Sequence, residues 1–185
     1  MAIREILLLG NPLLYLKSAP VTRGEISSLR PVIQDLHDTL IDFRARRGAG
    51  RAISAPQIGV QKRLVYLFVK EPTVLLNPVL DQLSPEVFEL WDDCMCFPEL
   101  LVRVRRHSRC RVTYRDLGWA ERQQELPEDI AELLQHECDH LEGILAVGRA
   151  AGPDAFSLLS QMNQAGSGGQ QPFPPRPGRG PYLYR

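Results

Sequence analysis

The segment Gln135-His136-Glu137-Cys138-Asp139-His140 constrains the fold more than any other part of this chain. Four residues on a helix turn through about 400°, so His136 and His140 stand almost one above the other on one face. Two imidazoles stacked in this way can both reach one transition metal ion. Glu137 projects from the neighbouring surface, close enough to handle a proton on a water beside that ion. A catalytic metal of this kind takes three protein ligands and keeps one position open. Two histidines therefore leave a third ligand to be found elsewhere among the chain's residues.

The surrounding pattern is consistent with that demand. From Glu25 to about Arg46, Ile26, Leu29, Ile33, Leu36, Leu40 and Phe43 recur every three or four residues, predicting an amphipathic helix that Gly48 and Gly50 stop. Leu64–Val69, Val74–Leu76, Val87–Trp91, Leu101–Val104 and Arg109–Tyr114 are short and rich in branched or aromatic residues, as strands are. Pro127 to about Leu145 reads as the second long helix, with Pro127, Glu128 and Asp129 suited to its first turn. Helix, then strands, then the metal-motif helix predicts an α+β fold, with short antiparallel strands packed around the central H-E-x-x-H helix. Pro153–Gln161 is expected to add a short helix. The expected main domain is 1–162, and 163–185, rich in Gly, Pro, Gln and Arg, is expected to be a flexible tail.

A length of 185 residues allows a core that needs no disulfide staples. A net charge of zero implies no general attraction to nucleic acid or to an anionic membrane. The apolar run Ile6–Leu9 is too short for a signal-peptide core, and no stretch approaches a membrane span. A cytoplasmic location is expected, where Cys94, Cys96, Cys110 and Cys138 serve as ligands or core residues rather than as disulfides. On chemistry alone the third ligand stays open, since buried free cysteines are common core residues. Cys138 points about 200° away from His136 on the helix, which favours packing for it.

Two further segments are chemically loaded: Gly50-Arg51-Ala52-Ile53-Ser54-Ala55-Pro56-Gln57-Ile58-Gly59 and Asp92-Asp93-Cys94-Met95-Cys96. With Gln135–His140 they resemble, in order, the three motifs of peptide deformylases: G-Φ-G-Φ-A-A-P-Q-Φ-G (Φ apolar), E-G-C-L-S and Q-H-E-x-D-H. The opening Ile3–Leu14 is also similar to that family, and the likeness covers about residues 1–150. The resemblance implies removal of the formyl group from the N-terminal methionine of new polypeptides. It implies Cys94, His136 and His140 as metal ligands, and Glu137 as general base and then general acid. Gln57 and the backbone N–H of Met95 would stabilise the oxyanion. The family's metal is typically Fe(II), with nickel, cobalt or zinc able to take the site. The implied partner is a formylated peptide, with a transient ribosome contact.

The motifs also depart from the family pattern. Arg51 stands at an apolar position, Ala52 at a glycine and Ser54 at an alanine, the last a mild change. Asp93 replaces glycine, which would strain the loop if φ there were positive. Cys96 replaces serine, a weaker hydrogen-bonding group. Gly50, Arg51, Ala52, Glu132 and Leu133 match positions that line the family's methionine pocket. Arg51 and Glu132 could face each other across a pocket more polar than usual, or both could snorkel outward. The altered pocket motivates two rivals: an amidase acting on another acylated amine, and a silent binding scaffold. Intact Glu137 argues against silence.

Other residues carry weaker expectations. Gln57 by itself reads as a solvated loop residue. Asp139 either orients its neighbours or faces solvent. The run Arg103, Arg105, Arg106, His107, Arg109 and Arg111 reads as a solvated face through strand alternation, not as a phosphate site. In the tail, Phe173, Arg176, Arg179, Tyr182, Tyr184 and Arg185 could touch RNA or a ribosomal surface, though an inert end is the simpler expectation.

Overall fold

A computed structural model describes residues 2–165. Helix α1 (Ile26–Arg47) follows a capping box in which Glu25 accepts hydrogen bonds from both the backbone and hydroxyl of Thr22, at 2.8 and 2.9 Å. Its buried side chains are Leu29, Leu36, Thr39, Leu40 and Phe43, the expected face. Strand β1 (Ala52–Ser54) comes next, then β2 (Leu64–Phe68), β3 (Pro72–Asp81), β4 (Val87–Asp93), β5 (Leu100–His107), β6 (Cys110–Arg115) and β7 (Glu121–Leu126). Helix α2 (Glu128–Leu141) follows, and β8 (Phe156–Leu158) and α3 (Leu159–Ala165) end the described chain.

The strands form two antiparallel sheets, β1-β2-β3-β6-β7 and β4-β5-β8. Helix α2 contacts β1, β2, β3 and β7 of the first sheet and β5 of the second. Its Ala131, Leu134 and Leu141 meet Val65, Leu75, Val112 and Leu126 of the larger sheet. Helix α1 covers Ile53, Leu64, Tyr66 and Leu76, while Leu90, Val102 and Val104 of the smaller sheet enclose Cys94, Cys96 and Phe97. The α+β architecture around a central motif helix is the one expected from sequence.

Several local expectations are corrected. Helix α2 stops at Leu141 instead of near Leu145, because Gly143 takes φ 73° and a Cβ there would lie 2.5 Å from the Tyr15 carbonyl oxygen. The segment expected to be a terminal helix begins as β8, which pairs Phe156–Leu158 with β5 before α3 starts. Strand β7 is almost wholly exposed and polar, an edge strand held by its pairing with β6. No helix of the described residues is long and apolar enough to cross a membrane. Residues 166–185, with the expected tail contacts Phe173 to Arg185, lie outside the described residues.

Candidate metal centre and active site

The end of β4 and the face of α2 meet where the sequence demands a third ligand. The Nε2 atoms of His136 and His140 lie 3.1 Å apart, and Cys94 Sγ lies 3.3 Å from His140 Nε2. The ligand atoms of all three residues fall within 4.8 Å of one another, and all three residues are buried. His140 Nδ1 is buried with no hydrogen-bond partner among the described residues. One thiol sulfur and two imidazole nitrogens converging in a buried space suit a borderline-soft divalent ion, which would accept all three lone pairs. The donor set therefore fits a metal. Cys96, Cys110 and Cys138 fall outside the cluster, and all four cysteines are free. Burial pushes the thiols of Cys110 and Cys138 up to about 11 and about 12, so both are unreactive at neutral pH.

Burial also raises the Cys94 thiol well above its ordinary range and drops His140 well below its own, leaving that imidazole neutral. His136 behaves differently. Burial opposes its charge, but Asp92 accepts from Nδ1 at 2.9 Å and carries it up to about 9. Asp92 is held in turn by Arg106 at 3.1 Å, and Arg106 donates to Asp139 at 2.6 Å. Asp139 also accepts from Arg149 at 2.7 Å. The line Arg149–Asp139–Arg106–Asp92–His136 thus orients a ligand from behind. Asp139 takes the orienting role of its two expected readings.

Arg106 corrects the expectation for the basic run. Its side chain is 4% exposed, whereas Arg105 and Arg109 stay at the surface at 65% and 72%. The signal was present in the chain: Val102 and Val104 face inward on β5, and Arg106 is the next residue of that alternation. Asp92, given no role in the sequence reading, follows the same rule on β4.

Glu137 is buried beside the metal cluster, and burial raises its carboxyl above the ordinary range against the opposing pulls of His136, Ser54 and Arg51. Ser54 Oγ hydrogen-bonds the Glu137 carboxylate and also lies 3.2 Å from the Glu137 carbonyl oxygen. The change from alanine is therefore not mild, since it places a donor on the acid/base group. Gln57 is 1% exposed, not a solvated loop residue. Its Oε1 accepts from Ser54 N at 2.8 Å, and its Nε2 faces Cys96 Sγ at 3.6 Å and Cys94 Sγ at 3.8 Å. This orientation points the amide donor at the centre.

One cavity gathers Gly50, Arg51, Ala52, Gln57, Cys94, Met95, Glu132, Leu133, His136 and Glu137. Gly50 takes φ 127°, and a Cβ there would press Leu40 at 3.2 Å, so this position requires glycine. Ala52 fits because the chain is already extended in β1, paired with Leu67. Asp93 is unstrained, since it closes β4 and is not among the positive-φ residues. Arg51 and Glu132 form an ion pair with side chains 17% and 7% exposed, so neither snorkels outward.

Residues 3–155 match the family model described as polypeptide deformylase. The chain belongs to the polypeptide deformylase family. A peptide deformylase of Leptospira biflexa is 32% identical over 180 residues, covering 90% of this chain and 98% of that protein. The crystal structure of peptide deformylase from Thermotoga maritima superposes with a TM-score of 0.76 at 27% identity, covering 82% of this chain and all of that one. A Met-Ala-Ser-bound class I type b peptide deformylase from Acinetobacter baumannii gives a TM-score of 0.72 at 26% identity, covering 80% of this chain and 98% of that one. The family is one of metalloenzymes, in keeping with the Cys94–His136–His140 cluster.

Proposed function

We propose that this chain hydrolyses the formamide of N-terminal formylmethionine on nascent polypeptides, releasing formate and a free amine. The observation that carries this reading is one cavity lined by two donors of the metal cluster, Cys94 and His136, together with a buried carboxylate and an amide donor. Cys94, His136 and His140 would hold one divalent ion, Fe(II) by the family's habit, with nickel, cobalt or zinc able to replace it. When bound, that ion polarises the formyl oxygen and acidifies a water.

Glu137 takes the proton from the attacking water as general base. The oxyanion that develops on the formyl oxygen would be met by the Gln57 Nε2–H, which faces Cys94, and by the backbone N–H of Met95, a residue of the cavity wall. Glu137 then returns its proton to the departing amine nitrogen. Ser54 keeps one carboxylate oxygen of Glu137 engaged, and its N–H keeps the Gln57 amide turned toward the reacting atoms. Gly50, Arg51, Ala52, Glu132 and Leu133 would form the wall that meets the substrate's first residue. The reading takes residues 1–162 as the catalytic unit and 163–185 as an appended tail. It includes a cytoplasmic site of action with a transient ribosome contact, because the substrate is met as it leaves the ribosome. The Met-Ala-Ser bound to the Acinetobacter relative is the deformylated form of such a substrate.

The test is formate release from formyl-Met-Ala-Ser by anaerobically prepared Fe(II) protein, beside Glu137→Ala. Release that the variant abolishes is the expected result. No release from protein carrying one metal per chain would refute the assignment.

A further inference from the structure

Arg44 lies outside the catalytic cavity, one residue after Phe43, which lines it. From the last turns of α1 its guanidinium reaches two chain segments at once. Nε donates to the Gly50 carbonyl oxygen at 2.9 Å, and Nη2 to the Phe68 carbonyl oxygen at 2.7 Å. The same group sits 5.1 Å from the centre of the Phe68 ring, a cation–π contact that helps to fix it. Phe68 N in turn donates to the Arg51 carbonyl oxygen at 2.7 Å. Arg44 and the end of β2 thus close a clamp on Gly50 and Arg51, where the chain enters β1.

What that clamp holds faces the substrate. Strand β1 is the edge of its sheet, and successive residues of a strand turn their backbone N–H and C=O to opposite sides. The Arg51 carbonyl is turned to β2, so Ala52 turns both of its groups away from β2. Ser54, two residues on, does the same, its N–H donating to Gln57. Ala52 lines the cavity, so its N–H and C=O offer a short strand edge to a peptide running out from the reacting formamide. That edge is only as well placed as the entry to β1. The lead-in Gly48-Ala49-Gly50 has little stiffness of its own, which leaves the placing to Arg44.

Resting on the deformylase reading, we propose that Arg44 is a positioning residue for the peptide, setting the strand edge along which the chain beyond the first residue docks. It acts through Gly50 and Arg51, not on the reacting atoms. The planar fork of a guanidinium reaches both carbonyls, a geometry that the point charge of an ammonium does not reproduce. The role concerns binding alone, so its loss falls on KM and spares kcat.

The experiment compares metal-loaded, full-length wild type, Arg44→Met and Arg44→Lys on formyl-Met-Ala-Ser and on formyl-methionine amide, which ends before the second residue. Arg44→Met is expected to raise KM for the tripeptide about tenfold with kcat within about twofold, and to move KM for the amide by less than about threefold. Calorimetry with the product Met-Ala-Ser reads binding without turnover, and its Kd is expected to weaken by about tenfold in Arg44→Met. Arg44→Lys, which keeps the charge, is expected to fall between. A tripeptide KM equal to that of wild type would overturn the proposal, as would equal losses on both substrates, the mark of a merely structural role. If Arg44→Met does not fold, Arg44→Lys decides, and a lysine variant matching wild type would overturn the proposal. Wild type that releases no formate from either substrate would refute the deformylase reading itself, and the positioning role with it.

Discussion

Ser54 Oγ donates to the carboxylate of Glu137, binding a residue of the Gly50–Gly59 segment directly to the acid/base group of α2. A hydrogen bond to an ionised carboxylate stabilises the charged form and offsets part of the upward push of burial. Ser54→Ala removes that donor, so the Glu137 pKa rises further. The expected result is an acid limb of the kcat/KM profile moved to higher pH, with turnover on that limb lower by about tenfold. The pH profile of formate release checks this, since a purely structural loss would lower the whole curve without moving its limb.

Arg106 sits between two carboxylates in the interior, and removing it leaves them facing one another without their shared cation. Arg106→Met is expected to cost about 3 kcal/mol, toward the low end for a broken buried pair because Arg149 still serves Asp139. Urea denaturation of metal-free protein reads this directly. A loss below about 0.5 kcal/mol, the range of an ordinary surface change, would contradict the role given to Arg106.

These two residues mark where the sequence became illegible. The motif helix, the amphipathic α1 and the two histidine donors could be read from spacing and chemistry, because periodicity and ligand type are local properties, whereas Cys94 is reached only through the resemblance to deformylases. Ser54 and Arg106 act through partners 83 and 33 residues away. Nothing near Ser54 in the chain indicates Glu137. Arg106 could have been found by extending the inward alternation of Val102 and Val104 by one more step. Strand β7, Glu121-Arg-Gln-Gln-Glu-Leu, has no strand propensity and exists because β6 offers it a ladder. Gln57 reads as a loop residue until the sheet and α2 close over it.

Asp92 governs both the affinity of the metal site and its pH dependence. In the metal-free protein His136 is raised to about 9, so at pH 7 it carries a proton that a metal must displace. Metal affinity is therefore expected to climb with pH through neutrality and to climb less steeply above about pH 9, where only the proton displaced from the Cys94 thiol still opposes binding. Asp92→Asn removes the charge that favours the imidazolium and leaves the ring oriented only by a weaker, neutral amide-oxygen acceptor. The expected outcome is affinity about 10–100-fold weaker with a shallower pH dependence. Chelator competition with Zn(II), which avoids oxidation, measures both.

Glu25 ties the start of α1 to the rest of the molecule, accepting from Thr22 and pairing with Lys62. The hydrogen bond from Lys62, followed by those from Thr22, lowers the Glu25 carboxyl from 4.5 to about 2. A folded pKa below the unfolded one means stability that is fully present above the unfolded value and is lost as pH falls through the folded one. The contribution of Glu25 is thus complete above about pH 4.5 and fades between there and about pH 2. Glu25→Gln should be less stable than wild type at pH 7, with the two converging as pH approaches 2. Paired denaturation curves across that range check the sign. A gap that widened on acidification would mean that the carboxylate is not the stabilising form.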